Sequence, residues 1–491
     1  MKNKKTIINV LTSGGQVALI GLIYYFLYRF LLDQLGVKLL GVWSVVMSTS
    51  SVANIADLGI ATSMVRFVSL YEHKNNLKRI PKLIFTGVIL NIFIFIPICI
   101  IIWPIAYYLL GNIIEDDYIS LARQLLPFSL ICVLLNSLSG VYGSILDGFR
   151  KNYVRNSIFS FSSIVFLFIT IWSVKRYGLI GVVWSQVFQS FLSLILCIIF
   201  SIRIIKFNPF KWNWSRIIFK EIFKYGIKFQ LTSITGILNE PVTKMLLSKF
   251  GGLAFTGYYE MANKLVMQIR GVIVSSNQSL MPLMVKESVS SSEVRSKYSI
   301  LSISFAGVFI TSLISLSLIN ILSPFISSIW IGHNEPIFIN VLLIVSGCMF
   351  INLLSAPIYF TLLSLDKLLP IIISQSLMAF TNLTLGYFLG SYFNGYGIVF
   401  TWMIVVLIGS WYLIRSVDFT NTFGLILNFR FITFLLLIIN GITISLVRYY
   451  SGQMLIILII NLILTASIFI FLFINRKKLL NSLNYDIRKT N

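Results

Sequence analysis

The chain has 491 residues, 57% of them apolar and 11% charged, with 39 Lys and Arg against 16 Asp and Glu and a formal net charge of +23. Soluble globular proteins carry roughly 25% charged residues, so this composition, with a mean hydropathy of +0.89, excludes a soluble enzyme and a nucleic-acid binder. It points to a polytopic all-α integral membrane protein, and the cation excess then needs an explanation from topology.

In chain order, Lys2, Lys4 and Lys5 lead into an apolar run from Ile7 to Leu32. That run is too long for a signal-peptide core and has no small-residue cleavage site, so it is expected to remain as the first span. At about 20 apolar residues per crossing, hydropathy places fourteen helices over residues 7–32, 39–69, 82–110, 121–146, 154–174, 179–202, 225–247, 253–283, 299–322, 337–363, 369–393, 397–415, 431–448 and 454–474. With the Lys-rich start inside, most Lys and Arg residues fall in cytoplasmic segments, while Glu115, Asp116 and Asp117 fall outside. The positive-inside rule is satisfied and both termini are expected to be cytoplasmic. The longest connection, near Arg203 to Lys224, repeats Arg216, Lys220 and Lys224 every four residues, with Ile218/Ile222 and Phe219/Phe223 on other faces. It reads equally as an interfacial amphipathic helix and as a basic linker that enforces topology.

Cys99, Cys132, Cys197 and Cys348 each stand alone in an apolar run, and His73 and His333 lie in separate polar loops. No disulfide framework, metal site or cofactor is expected. Gly36-x4-Gly41-Val42-Trp43 is answered by Gly252-x4-Gly257-Tyr258-Tyr259, and Leu146-Asp147 with Tyr177-Gly178 by Leu365-Asp366 with Tyr396-Gly397. The glycine spacing is not a phosphate loop, because Tyr258-Tyr259 stands where Lys-Ser/Thr is required. The matches predict two pseudo-symmetric six-helix lobes of parallel topology with a cavity between them. The expected division is a lobe over 1–202, a cytoplasmic amphipathic linker over 203–224, a second lobe over 225–415, two additional C-terminal spans within 416–474 and a basic tail over 475–491.

Charges inside a membrane are functional suspects, since each costs at least about 2.5–3.5 kcal/mol on insertion scales. The cations are Arg29, Arg66, Arg123, Lys244, Lys264 and Arg270, and the anions Asp57, Glu240 and Glu260. Arg123 reads as a snorkelling residue, and Glu260 and Lys264 have the spacing of a local ion pair. Arg29 and Lys244 stand at nearly equivalent depth before Gly36 and Gly252. Their helices carry breakers, Gly14-Gly15 and Gly21 in one, Gly236 and Pro241 in the other, as expected of discontinuous helices at a transport site. Such a pair suits an anionic substrate such as a diphosphate. Asp57 and Glu240 fit either ion coupling or charge pairing, Asp57 across to Arg29 and Glu240 to Lys244.

Ala56-Asp57-Leu58-Gly59-Ile60 through Arg66-Phe67, Asp147-Gly148-Phe149-Arg150-Lys151, Tyr177-Gly178-Leu179-Ile180-Gly181, and Gly257 through Leu265 with Met281-Pro282 resemble the Wzx-type polysaccharide-biosynthesis flippases. These belong to the multidrug/oligosaccharidyl-lipid/polysaccharide exporter superfamily. The resemblance implies a bacterial inner-membrane protein, not an enzyme. It would carry a polyprenyl-diphosphate-linked oligosaccharide, such as an O-antigen or capsule repeat unit, to the outer leaflet by alternating access. Arg29, Lys244, Arg270, Arg66 and Lys264 would meet the substrate, with proton or sodium coupling and polymerase or chain-length partners left open. A multidrug exporter of the same fold would need carboxylates for cationic drugs, and a polymerase or ligase a sizeable outer loop.

Overall fold

The computed structural model describes residues 2–57, 59–208, 213–290, 299–365 and 367–416. They form α1 (Lys2–Leu35), α2 (Val37–Ser51), α3 (Ile60–His73), α4 (Ile80–Ile113), α5 (Asp116–Gly148), α6 (Asn152–Ile205), α7 (Arg216–Ser290), α8 (Ser299–Trp330), α9 (Pro336–Ser364) and α10 (Leu369–Arg415), with short 3₁₀ turns at Val52–Asp57 and Leu77–Arg79. No strand occurs among the described residues. Among the described residues, eight helical stretches are long and apolar enough to cross a membrane. Two of these have 54 and 47 residues, at 1.5 Å rise far more than the roughly 30 Å of hydrocarbon needs.

These long helices turn back at single residues. Gly178 (φ 56°, ψ −137°) divides α6, Gly252 (φ 80°, ψ 170°) divides α7, and Asn394 (φ 53°, ψ −140°) divides α10. Gly36, between α1 and α2, has φ 78° and ψ 167°, the conformation of Gly252. Extended ψ at positive φ is open essentially to glycine alone, which is why the chain spends glycine there. The described helices occupy the places of the first twelve expected spans; the last two and the tail lie outside the described residues.

Three expectations change. The span set at 39–69 is two helices, interrupted by the Val52–Asp57 turn and by Gly59 in the left-handed region, where a Cβ would lie 2.9 Å from the Gly226 carbonyl oxygen on α7. The breakers break nothing: α1 runs through Gly14, Gly15 and Gly21, and α7 through Gly236 and Pro241. The basic segment from Arg216 is the start of α7 itself. Its Ile218 and Ile222 are buried with Ile60, Met64, Val68 and Tyr71, while Ile217 and Phe223 remain exposed, so one face packs on protein and only the rest is free for lipid headgroups.

The repeat is set by one offset. Gly36 and Gly252, and Gly178 and Asn394, are both 216 residues apart with matching backbone angles. Tyr177-Gly178 therefore corresponds to Phe393-Asn394 rather than to Tyr396-Gly397. Gly397 answers Gly181 instead: a Cβ on either would overlap the backbone of the preceding helix, at Leu389 and Ser173. Where α2 crosses the second segment of α7 the contact is reciprocal. A Cβ on Gly41 would strike the Leu253 carbonyl oxygen, and one on Gly257 the Val37 carbonyl oxygen.

The core follows the same axis. At the end of the bundle carrying these turns, one cluster joins both halves, including Leu27, Leu40, Val42, Val182, Leu253, Tyr259, Phe338 and Val399. At the opposite end there are two clusters. One gathers α3, α4, α5, α6 and the first turns of α7; the other gathers Leu301, Ile358, Leu362, Ile371 and Leu413. Among the described residues, the halves thus share one cluster at the turn end, while at the other end α8, α9 and α10 cluster apart from α3–α6, which keep contact with the start of α7 through Gly59 against Gly226 and through Gln230 donating to the Ile55 carbonyl at 3.2 Å.

Gly41→Ala and Gly257→Ala are expected to lower the thermal midpoint of the detergent-solubilised protein by similar amounts, overpacking costing about 1–3 kcal/mol. Gly14→Ala, with nothing within 4 Å of its Cβ, should leave it unchanged or raise it, because alanine is the better helix former. Fluorescence-monitored melting of the three variants checks this.

Candidate functional site

The longest helix, α7, carries Glu240, Lys244, Glu260, Lys264 and Arg270, and the fold brings the first three together. Folding back at Gly252 sets Lys244 on the first segment against Glu260 on the second. The Lys244 ammonium is 2.7 Å from Glu260 Oε2 and 2.6 Å from Glu240 Oε1. The Lys244 and Glu260 side chains are 6% and 8% exposed and the Glu240 side chain 60%, so the bridge has one buried and one open arm.

The buried carboxylate is completed from the other half of the molecule. Tyr28 on α1 donates its hydroxyl to Glu260 Oε1 at 2.8 Å, and Ser44 on α2 donates to Oε2 at 2.9 Å. A carboxylate withdrawn from water is stable only when its lone pairs find donors, and here they come from three helical segments. Stepping back 216 residues from Lys244 gives Tyr28, from Glu260 gives Ser44, and from Glu240 gives Tyr24. The charged cluster and its hydroxyl partners are thus the two copies of one set of positions.

Deeper along α7 the contacts with α1 continue. The Lys264 ammonium stands 4.2 Å from the centre of the Tyr24 ring, and Gln268 lies against Gly21. Arg270 turns toward α9, donating from Nε to Asn352 Oδ1 at 3.1 Å, and Asn352 in turn donates to Ser410 on α10 at 3.2 Å. Asn239 and Thr243 face α10, where the Asn382 amide nitrogen reaches Asn239 Oδ1 at 3.0 Å and Thr243 Oγ1 at 2.9 Å. Lys244 and Glu240 therefore occupy the face of α7 turned toward α1 and α2.

The remaining sequence candidates lie elsewhere. Arg29 does not meet Lys244; it pairs with Asp33 at 3.6 Å on an exposed turn of α1, and its counterpart under the repeat is Met245. Arg66 is exposed and stacks on Tyr225, 4.3 Å from the ring centre, near the opposite end of the bundle. Asp57 has no ion pair among the described residues, so it does not neutralise Arg29. The expected Glu260–Lys264 pair gives way to Glu260–Lys244, because folding back at Gly252 places a buried ammonium that needs a carboxylate more than the partly exposed Lys264 does. No cluster of three or more His, Cys, Asp or Glu suited to a metal occurs among the described residues.

Sequence reasoning missed Tyr28, Ser44 and Glu115. Glu115 sits in the turn between α4 and α5. Its Oε2 accepts from Lys38 at 2.8 Å and its Oε1 from the Leu253 backbone N–H at 3.3 Å. It thereby ties the start of α2 to the start of the second segment of α7. The hydrogen bond from Lys38, chiefly, and that from Leu253 hold its carboxyl below the usual carboxylate range. The signal for Tyr28 and Ser44 was present in the Gly36/Gly252 match; Glu115 carried none.

The family described as "Polysaccharide biosynthesis protein" matches residues 4–288, more than half of the chain. Among solved structures, the chain is similar to the lipid II flippase MurJ in an inward closed conformation, with 17% identity and a TM-score of 0.70, covering 95% of this chain and 100% of that one. It is also similar to an inward-facing multidrug-resistance MATE transporter of the MOP superfamily, at 12% identity and a TM-score of 0.67, covering 84% and 98%. A MOP-superfamily transporter from Pyrococcus furiosus Vc1 gives 14% identity, a TM-score of 0.54 and 83% and 95% coverage. No curated protein matches the chain by sequence.

Because the Glu115 pKa is depressed in the folded state, its contribution to stability is present above the ordinary carboxylate pKa and is lost as pH falls through the lowered folded value. The difference in melting temperature between the parent and Glu115→Gln should therefore be steady at neutral pH and shrink toward zero at acidic pH. A difference independent of pH would contradict the assignment.

Proposed function

The chain belongs to the polysaccharide biosynthesis protein family, and from that membership we propose that it is a flippase. It carries a polyprenyl-diphosphate-linked oligosaccharide, such as an O-antigen or capsule repeat unit, from the cytoplasmic to the outer leaflet of a bacterial inner membrane. The family and fold are those of transporters. The observation that most supports the reading is the distribution of the core: one shared cluster at the turn end, and at the other end a cluster of α8, α9 and α10 that stands apart from the cluster of α3–α6 with the start of α7. Two six-helix lobes over 1–202 and 225–415, hinged in this way, can rock about a fixed site, as alternating access requires. With both termini cytoplasmic, as the positive-inside pattern favours, the turn end would be the outer end and the lobes would part toward the inside.

Between the lobes the substrate's diphosphate would meet Lys264 and Arg270, with Lys244 at the head of the cleft and Arg66 near its entrance. Arg29, paired with Asp33 on an exposed turn, would be a peripheral contact. The prenyl chain stays in lipid. Export of cationic drugs by the same fold fits less well, because Glu260 is already neutralised by Lys244 and the cluster adds Lys264 and Arg270. Asp57 and Glu240 are the carboxylates available for coupling to a proton or sodium ion, and a polymerase and chain-length regulator would act on the product.

Deleting the gene should accumulate a lipid-linked oligosaccharide on the cytoplasmic leaflet. Lys264→Gln and Arg270→Gln, at unchanged protein level, should each reduce surface glycan about tenfold or more, a charge-assisted hydrogen bond being worth about 1.5–3 kcal/mol. Full export from both variants, or no accumulation in the deletion strain, would overturn this function.

A further inference from the structure

Lys244 holds two carboxylates that differ in every physical respect. Glu260 is buried and fixed by Tyr28 and Ser44 as well as by the ammonium. Glu240 is held to Lys244 by an i, i+4 contact, with its side chain 60% exposed. It stands on the face of α7 turned to α1 and α2, roughly 18 Å from the Gly252 break at 1.5 Å per residue. At that depth a carboxylate is stable in a watered interior and costly against lipid, so its open side faces the space between the halves. Swinging it off Lys244 returns it to water. Doing the same to Glu260 would strand a buried charge.

We propose that Glu240 is a tethered competitor for the substrate's phosphate: it occupies, on Lys244, the place that a diphosphate oxygen takes when the lipid-linked substrate enters. This rests on the flippase reading above. The exchange substitutes one anionic oxygen for another, so the buried ammonium is never left with Glu260 alone. Glu260 keeps Lys244 aimed while the open arm changes, and Lys264, over Tyr24 one turn beyond Glu260, supplies a second cation to the same ligand. A neutral sugar hydroxyl is too weak an acceptor to displace a carboxylate from an ammonium, so Glu240 sets a threshold that only a strongly anionic group passes. Glu240 is a specificity-determining residue in this account, and removing its charge lowers the threshold.

The test uses the purified full chain in lipid nanodiscs, with inorganic pyrophosphate as the probe and calorimetric titration as the readout. Glu240→Gln, which leaves the buried Lys244–Glu260 pair intact, should bind pyrophosphate about tenfold more tightly than the parent. That gain should vanish in a Lys244→Met/Glu260→Gln background, where ammonium and buried counter-charge are removed together so that neither is stranded. Equal affinity in the parent and Glu240→Gln, a gain that survives without Lys244, or no measurable binding to either protein overturns the exchange. Glycan export by the same strains is followed in parallel: export by the parent alongside a failed exchange leaves the flippase reading standing, whereas a deletion strain that accumulates no lipid-linked glycan overturns that reading itself.

Discussion

A carboxylate buried in a membrane protein has to be supplied with donors from somewhere, and the Glu260 carboxylate draws them from both halves of the molecule. Lys244 comes from its own half, Tyr28 and Ser44 from the other. Removing one partner of a buried ion pair typically destabilises by about 3–5 kcal/mol, because the remaining charge is left uncompensated. The junction is therefore unlike a purely apolar one, whose strength falls off gradually as surfaces slide. It is either made or broken. Around it the reciprocal glycine contacts bring α2 and the second segment of α7 to backbone distance, and Glu115 ties together their two starts.

The backbone is nearly symmetric and the chemistry is not. Gly36 and Gly252 share one rare conformation and Gly178 and Asn394 another, and the crossings they set up repeat faithfully. At the matched side chains, the first half offers Tyr24, Tyr28 and Ser44, and the second Glu240, Lys244 and Glu260. Two hydroxyls of the first half thus donate to the one buried carboxylate of the second. The asymmetry is what lets one cluster join the two halves.

Much of the scaffold could be read in the residues because apolar length is a strong signal: the described helices stand in the places of the first twelve expected spans, the one set at 39–69 being split in two, and the chain reverses at Gly36, Gly178 and Gly252, in gaps between expected spans. The site was legible by residue type and less so by partner. Lys244, Glu240 and Glu260 stood out as charges in apolar runs, yet Arg29 was matched with Lys244 on depth alone, when a strict offset of 216 puts Tyr28 there. Tyr and Ser in an apolar helix attract no notice until a buried acceptor is found beside them. Pro241 and the α1 glycines misled in the opposite direction, since tertiary packing holds those helices continuous. Glu115 lies in a loop whose partners are set only by the tertiary fold.

The claim on which the account depends is that the Glu260 bridge holds the turn ends of the two halves together. The most direct measurement is the distance between spin labels attached to cysteines at Asp33 and Lys249, both exposed near that end, in a background with the native cysteines replaced. Pulsed electron resonance should give one narrow distribution in the substrate-free protein, and a second, longer population when Tyr28→Phe and Ser44→Ala remove both donors from the first half. The same single distribution with and without those donors would contradict the claim.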